Sequence, residues 1–352
     1  MSADGGERAP FGTPPGGRPA TLFTLRADGV VARVTDLGAT LVALATPDRD
    51  GRTGGIVLGL GDAAAYASRE PGANPFLGAT VGRVANRTAG AAFELDGVRY
   101  ELDANEPPNH LHGGRVGSFE REPWDVVEAA ADRLVLRLVS PDGTGGYPGT
   151  LRVTAEYAVA PGELAITYRA TTDRPTPVNM TQHAYLNLAG EAGATVLDHE
   201  LTVAADRWTP VDAGLIPTGA TPAVDATSFD LRGGRRLGDV VAALAEDPAG
   251  GLDHNLWLVG PAGALREVAV LRDPASGRWL RLDSDQPCLQ VYTGNRLGRT
   301  VGRDGVTFPR HGAVCLEPQH APDSLHRPGW PSIVLRPGEE HVHRLRYRLG
   351  AG

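Results

Sequence analysis

Short runs of three to nine residues, most of them alternating apolar and polar with a period of two, recur along this chain. In the first half the runs are Thr21–Leu25, Val30–Thr35, Ala39–Ala45, Ile56–Leu58, Ala92–Leu95, Arg99–Leu102, Leu134–Val139, Leu151–Val159 and Glu163–Ala170. The second half continues with Glu200–Val203, Leu256–Val259, Glu267–Leu271, Trp279–Leu282, Leu289–Tyr292, Ala313–Glu317, Ser332–Leu335 and His341–Leu349. This is the pattern of half-buried strands. Asp28-Gly29, Asp50-Gly51, Asp96-Gly97, Asp142-Gly143 and Pro161-Gly162 punctuate the runs as turns, and Asp96-Gly97 predicts a tight hairpin. Helical periodicity is confined to Arg236–Glu246, where Leu237, Val240, Val241 and Leu244 share a side. Strands without interleaved helices predict an all-β fold, a large antiparallel β-sandwich with few short helices. Residues 1–19 are rich in Gly and Pro and read as a flexible leader. Residues 20–350 read as a single sandwich domain, with no low-complexity linker and no short-period repeat to divide them.

One run breaks the ordinary pattern. In Val178–Leu188 one face carries Val178, Met180, Gln182, Ala184, Leu186 and Leu188, and the other Asn179, Thr181, His183, Tyr185 and Asn187. A solvated strand face carries Lys, Glu and Arg. This one carries uncharged donors and acceptors around an imidazole and an aromatic ring, which suits either a buried polar network or a surface for a neutral, hydroxyl-rich ligand.

Charge and cysteine content narrow the classes. The 352 residues include 34 basic and 42 acidic side chains, a net charge of −8, and no dense basic run, which argues against nucleic acid or an anionic membrane as partner. No apolar stretch is long enough to span a bilayer, and the N-terminal residues lack the apolar segment of a secretory signal. Cys288 and Cys315 are too few for a disulfide framework and are expected to be free thiols in a cytoplasmic protein.

Five further stretches hold candidate chemistry. Gly78–Arg87 lacks a phosphate-loop pattern. His110 and His112 sit in a Gly/Pro-rich stretch that reads as a surface loop or an isolated metal pair, with no third ligand at telling spacing. His341 and His343 read as a solvated strand face. Asp253, in Gly251–Asn255, suits an Asx-turn or a site acid. Glu317 lies on the face of its run shared with Ala313 and Cys315, where a carboxylate among small residues can be tuned toward general-base work or be held in an ion pair.

Together these segments resemble the ordered motif set of the galactose mutarotase (aldose 1-epimerase) family. The resemblance rests on Val81–Arg87, Asn109–Gly114, Thr181–Gly190, Leu252–Asn255, Gln290–Asn295 and Cys315–Gln319, supported by Gly146–Gly149 and Leu335–Glu339, and it spans about Thr21 to Leu349. It implies a mutarotase-type supersandwich with an open cleft for a free aldohexose such as galactose or glucose. It assigns Glu317 as catalytic base, His183 as catalytic acid, and Asn86, Arg87, His112, Asp253 and Gln290 as substrate-binding residues. Gln182 stands where many members have Asn, and Pro318-Gln319 where Thr-Gln is frequent; neither change removes a catalytic group.

In that scheme Glu317 takes the proton of the anomeric hydroxyl while His183 protonates the ring oxygen. The ring opens, the bond between the first two carbons turns, and closure reverses the roles. Reference pKa values of about 6.5 and 4.3 nearly provide the required charge states. Neither metal nor organic cofactor is needed, and the expected partner is the monosaccharide alone, with the protein a monomer or homodimer. Three other classes are open on sequence: a glycoside hydrolase using Asp253 and Glu317 as its carboxylate pair, a non-catalytic sugar-binding module, and a sugar-phosphate epimerase with further cationic residues in its cleft.

Overall fold

A computed structural model of the chain describes residues 6–191 and 194–352; Met1–Gly5 of the expected leader lie outside the described residues. The architecture is all-β and antiparallel. A nine-stranded sheet runs in the order Asp125–Ala129, Arg133–Ser140, Leu151–Ala160, Glu163–Thr172, His341–Ala351, Arg278–Ser284, Arg266–Arg272, Glu200–Val203 and Arg235–Arg236. A five-stranded sheet is ordered Tyr185–Leu186, Val314–Gln319, Cys288–Tyr292, Asp253–Leu258 and Ala205–Trp208. The N-terminal strands Glu7–Gly12, Ala20–Ala27, Val30–Thr35, Thr40–Pro47 and Thr53–Gly55 form a third sheet in chain order. Only two α-helices, Ala63–Ala67 and Leu237–Ala243, occur among the described residues.

Alternation places the core. In Leu151–Ala160 residues Leu151, Val153, Ala155, Tyr157 and Val159 are buried while their neighbours face outward, as a one-sided sheet requires. The same main core takes Leu25, Val34 and Leu44 from the N-terminal sheet, Ile166 and Tyr347 from the large sheet, and Leu256, Leu289, Val291, Val314 and Leu316 from the five-stranded sheet. A second cluster lies on the opposite side of the five-stranded sheet and contains Tyr185, Tyr292, Ala313 and Cys315 with Phe11, Leu58 and Tyr66. The five-stranded sheet is therefore anchored to the main core by one face and leaves its other face for the site.

Several expectations change here. Glu7–Gly12 is not a loose leader: it pairs with Ala20–Ala27 as the edge of the N-terminal sheet, and Phe11 seals the second cluster. Backbone pairing and one buried ring hold a segment whose composition predicts little order. Ile56–Leu58 is not a strand of a sheet; it is buried as a single connection bridged at Val57 to Leu186. His341 and His343 do not form a solvated face, since His343 is fully buried against Tyr168 and its ring meets the carbonyl of Met180. The Asp96-Gly97 hairpin forms as expected, with both turn residues at positive φ and Leu95 opposite Val98.

Candidate active site

Glu317 and His183 are brought together by two neighbouring short strands. Tyr185–Leu186 pairs with Val314–Gln319, Tyr185 opposite Cys315, so the residue two positions before Tyr185 and the residue two positions after Cys315 reach the same side. His183 Nε2 lies 3.8 Å from Glu317 Oε2, and both side chains are nearly inaccessible, at 6% and 2% exposure. These two line a cleft of about 130 Å3 together with Asn86, Arg87, His112, Asp253, Tyr185, Tyr292, Phe76 and Arg296. A larger groove, of about 900 Å3 between Pro14–Arg18 and Ala64–Pro71, has no histidine in its lining.

Six of the seven residues named from the sequence line the cleft; Gln290 stands behind it. Its Nε2 donates to Asp253 Oδ1 at 2.7 Å, so it orients that carboxylate instead of facing the main opening. The register explains this: Gln290 lies directly opposite Glu317 on the adjacent strand, with Asp253 one strand further on.

The histidine at 112 is defined by its neighbours. The backbone N–H of Asn86 donates to His112 Nδ1 at 3.1 Å, which makes Nδ1 an acceptor and leaves the proton on Nε2. Burial, followed by the nearby His183 and Arg87, holds its pKa well below the ordinary value, so a neutral ring offers one N–H donor to the cleft. His112 sits at φ 50° and Asn86 at φ 62°, a left-handed turn pair linked by His112 N–H to the carbonyl of Asn86 at 3.0 Å. Gly113 follows at φ 83°, where a Cβ would stand 2.1 Å from the carbonyl oxygen of Gly82; only glycine fits.

Arg87 is clamped. Its Nε and Nη2 donate to the two oxygens of Glu106 at 2.5 and 2.9 Å, and Arg296 Nη1 donates to the same carboxylate at 3.2 Å. Glu106 escaped the sequence reading because it is a single acid before Pro107-Pro108, with no spacing that ties it to Arg87. Both arginines that line the cleft thus share one carboxylate. Phe76, Tyr185 and Tyr292 were also missed as a group. His183 stacks on Tyr185 at 5.0 Å and 10°, with Phe76 at 6.2 Å and Tyr292 edge-on at 6.4 Å. The Tyr185 hydroxyl donates to the carbonyl of Pro75 at 2.8 Å, so its ring plane is fixed.

The polar face of Val178–Leu188 divides by task. Asn179 binds the backbone of His320, Thr181 donates to the carbonyl of Pro318, and Asn187 donates to the carbonyls of Ala194 and Gly312. These three tie down chain segments, and only His183 and Tyr185 face the cleft. On the other face, Gln182 is held by the hydroxyls of Tyr157 and Tyr168 and by the carbonyl of Gly78.

The charge states differ from those expected of free side chains. Burial lowers the His183 pKa to about 4, and burial with the charge of Asp253 raises Glu317 well above the carboxylate range. Both shifts favour the neutral forms. Together the two groups then hold one proton, carried by the carboxyl with the imidazole neutral, or by the imidazole with the carboxylate ionised.

Residues 21–348 match the family model described as aldose 1-epimerase. The chain is 42% identical to galactose mutarotase of Mus musculus over 344 residues, covering 97% of this chain and 98% of that protein. It is 36% identical to aldose 1-epimerase of Escherichia coli over 342 residues, covering 95% and 96%. Among solved structures, an aldose epimerase homologue from C. elegans superposes with a TM-score of 0.86 at 28% identity, covering 94% of this chain and 98% of that one. A galactose 1-epimerase from Lactobacillus acidophilus superposes with a TM-score of 0.83 at 28% identity, covering 98% of both chains. With the sequence and the fold in agreement over nearly the full length, the chain belongs to the aldose 1-epimerase family.

Proposed function

We propose that this protein is an isomerase that interconverts the α and β anomers of free aldohexoses such as galactose and glucose, with Glu317 and His183 as its proton-transfer pair. One observation carries the assignment. The anomeric oxygen and the ring oxygen are bonded to the same carbon, so the groups that exchange protons with them must stand side by side. His183 Nε2 and Glu317 Oε2, 3.8 Å apart at the floor of the cleft, do so. In ring opening Glu317 accepts the anomeric proton and His183 donates to the ring oxygen, which leaves a carboxylic acid, a neutral imidazole and the open-chain aldehyde. Closure on the other face of the aldehyde runs both transfers backwards. The one proton of the pair simply changes partner. The buried setting favours its neutral arrangement, the one that accompanies the open chain, so the site stabilises the species that water disfavours.

The remaining roles follow from the contacts. His112 presents Nε2–H to a sugar oxygen, Arg87 Nη1 has no hydrogen-bond partner among the described residues, and Asp253, steadied by Gln290, accepts from a sugar hydroxyl. Asn86 uses its carbonyl oxygen on the N–H of Arg87 and keeps its amide N–H groups for the ligand. None of these residues requires a metal or organic cofactor for the reaction. A cytoplasmic setting belongs to the same proposal and rests on two unpaired, buried cysteines. No helix among the described residues is long and apolar enough to cross a membrane.

The test is polarimetry of freshly dissolved α-galactose and α-glucose. Rotation should reach its equilibrium value faster with the protein present, for at least one of the two sugars. If neither rate changes with active, folded protein, the reading is wrong.

A further inference from the structure

Cys315 has no part in the proton relay, yet it completes a set of metal-ligating atoms. It lies two residues before Glu317 on Val314–Gln319, so both side chains leave the same face of that strand, and its register partner Tyr185 lies two residues after His183. One ligand atom each from His183, Cys315 and Glu317 fall within 4.8 Å of one another, and all three residues are buried. One of these ligand atoms, Glu317 Oε2, is buried with no hydrogen-bond partner among the described residues. A buried carboxylate oxygen left open, beside an imidazole and a thiol, is an arrangement that a borderline-soft cation satisfies.

We infer that His183, Cys315 and Glu317 form a binding site for a thiophilic divalent cation of the zinc type, and that the cation inhibits the enzyme by occupying its proton-transfer pair. Zinc bonds of about 2.3 Å to sulfur and about 2.0–2.2 Å to nitrogen and oxygen place neighbouring ligands of a tetrahedron about 3.3–3.6 Å apart. His183 Nε2 and Glu317 Oε2 are already 3.8 Å apart and the thiol completes a set within 4.8 Å, so the ligand atoms stand close to this spacing. Binding replaces the S–H bond of Cys315 with a sulfur–metal bond and displaces the one proton held by His183 and Glu317, and both protons pass to solvent. Three protein ligands leave the fourth position directed at the cleft, where the sugar's oxygens would otherwise sit. Magnesium and calcium, which take oxygen ligands in greater number, do not suit this donor set. Inhibition rests on the anomer-exchange reading; metal binding by itself does not.

The experiment has two arms. In the first, cobalt(II) is titrated as a spectroscopic stand-in for zinc into the full-length protein without sugar. A thiolate-to-cobalt charge-transfer band should appear, and Cys315→Ala should abolish it. In the second, zinc is added to the polarimetric assay. Inhibition should be competitive with the aldose and reversed by EDTA, and Cys315→Ala should keep mutarotation while raising the zinc inhibition constant at least about tenfold. Magnesium at the same concentration should leave the rate unchanged. Absence of the cobalt band in the unsubstituted protein overturns the site whether or not the variant folds. Equal zinc sensitivity of folded Cys315→Ala overturns it as well, by placing the cation elsewhere. A cobalt band in a protein without mutarotation would leave the metal site standing and overturn the function instead.

Discussion

Glu317→Gln keeps the shape of the side chain but cannot accept a proton, and His183→Asn keeps polarity but cannot deliver one. Each should lower kcat by about two orders of magnitude or more, the usual scale for losing a general acid or base. The double substitution should be little worse than either single one, because the two groups act as one relay. Steady-state mutarotation kinetics on the folded variants decides this; near-normal turnover of Glu317→Gln would move the base to Asp253. Arg87→Ala should chiefly raise KM, since Arg87 is proposed to hold the sugar and not to exchange a proton with it. It also leaves Glu106 without its buried partner, so some loss of turnover from misplacement is expected. The pH profile follows from the two shifts. His183, lowered to about 4, gains a second proton for the pair only near that pH, so the acid limb of kcat/KM belongs near 4 and not near the ordinary value of about 6.5. Glu317 is raised, so the alkaline limb, where the pair loses its one proton, lies above the ordinary carboxylate range. Asp253→Asn removes a negative charge that raises Glu317 and should move the alkaline limb to lower pH. Rates taken by rapid pH jump, before any unfolding, give both limbs; an acid limb at about 6.5 would refute the buried-pair account. At this scale the motifs name the two residues proposed for proton transfer, but not their charge state. Reference values describe solvated side chains, and neither group is solvated.

At the scale of elements, the cleft depends on connections as much as on strands. Arg83 is buried four residues before Arg87 and donates to the carbonyls of Ser140, Pro141, Pro148 and Gly149 and to the hydroxyls of Ser140 and Thr176. It therefore pins the Gly146–Gly149 loop and the end of Arg133–Ser140 to the segment that carries Asn86 and Arg87. Arg83→Leu would leave several buried carbonyls unpaired and should cost about 2 kcal/mol or more in urea unfolding, with a higher KM in what folds. A change under about 0.5 kcal/mol would show that solvent replaces the guanidinium. Gly113→Ala should destabilise by about 1–3 kcal/mol through its overlap with Gly82 and displace His112 from the cleft. Strand positions, the hairpin at Asp96-Gly97 and the helix Leu237–Ala243 are legible because they follow from local periodicity and turn chemistry. The strand Glu7–Gly12 is not. Its order comes from pairing with Ala20–Ala27 and from the burial of Phe11, and neither shows in its own composition.

For the whole molecule, buried histidines set the response to acid. Burial lowers His183, His199 and His320 to about 4, and His341 and His343 to about 3. Each stays neutral in the folded chain and takes up a proton on unfolding once the pH falls below about 6.5. The unfolded state therefore binds more protons in the window from about 6.5 to about 4, and stability falls with pH there. The loss is on the order of 1.4 kcal/mol per pH unit for each such histidine. The raised carboxyls of Glu317, Glu120, Glu191 and Asp36 act in the opposite sense and offset part of it. Tm should be nearly level above about pH 7 and drop steeply from about 6.5 to 4.5. Thermal melts across that window test this, and a flat Tm down to pH 5 would show that these rings exchange protons in the folded state.

The sequence by itself determined the β class, most strand positions, the family and the identity of the chemical groups. Each of these is carried by short-range pattern: a period of two, a turn dipeptide, or a motif of four to ten residues. The tertiary structure alone decided which polar residues face the cleft and which tie down the chain. Asn179, Thr181 and Asn187 share a face with His183 and Tyr185 in the pattern, but carbonyls of distant segments claim them. It also decided the clamp of Glu106 on Arg87, the aromatic enclosure of His183, and the approach of His183 to Glu317 and Cys315. Those contacts join residues far apart in the chain or on neighbouring strands, and periodicity says which face a side chain takes, not what meets it there.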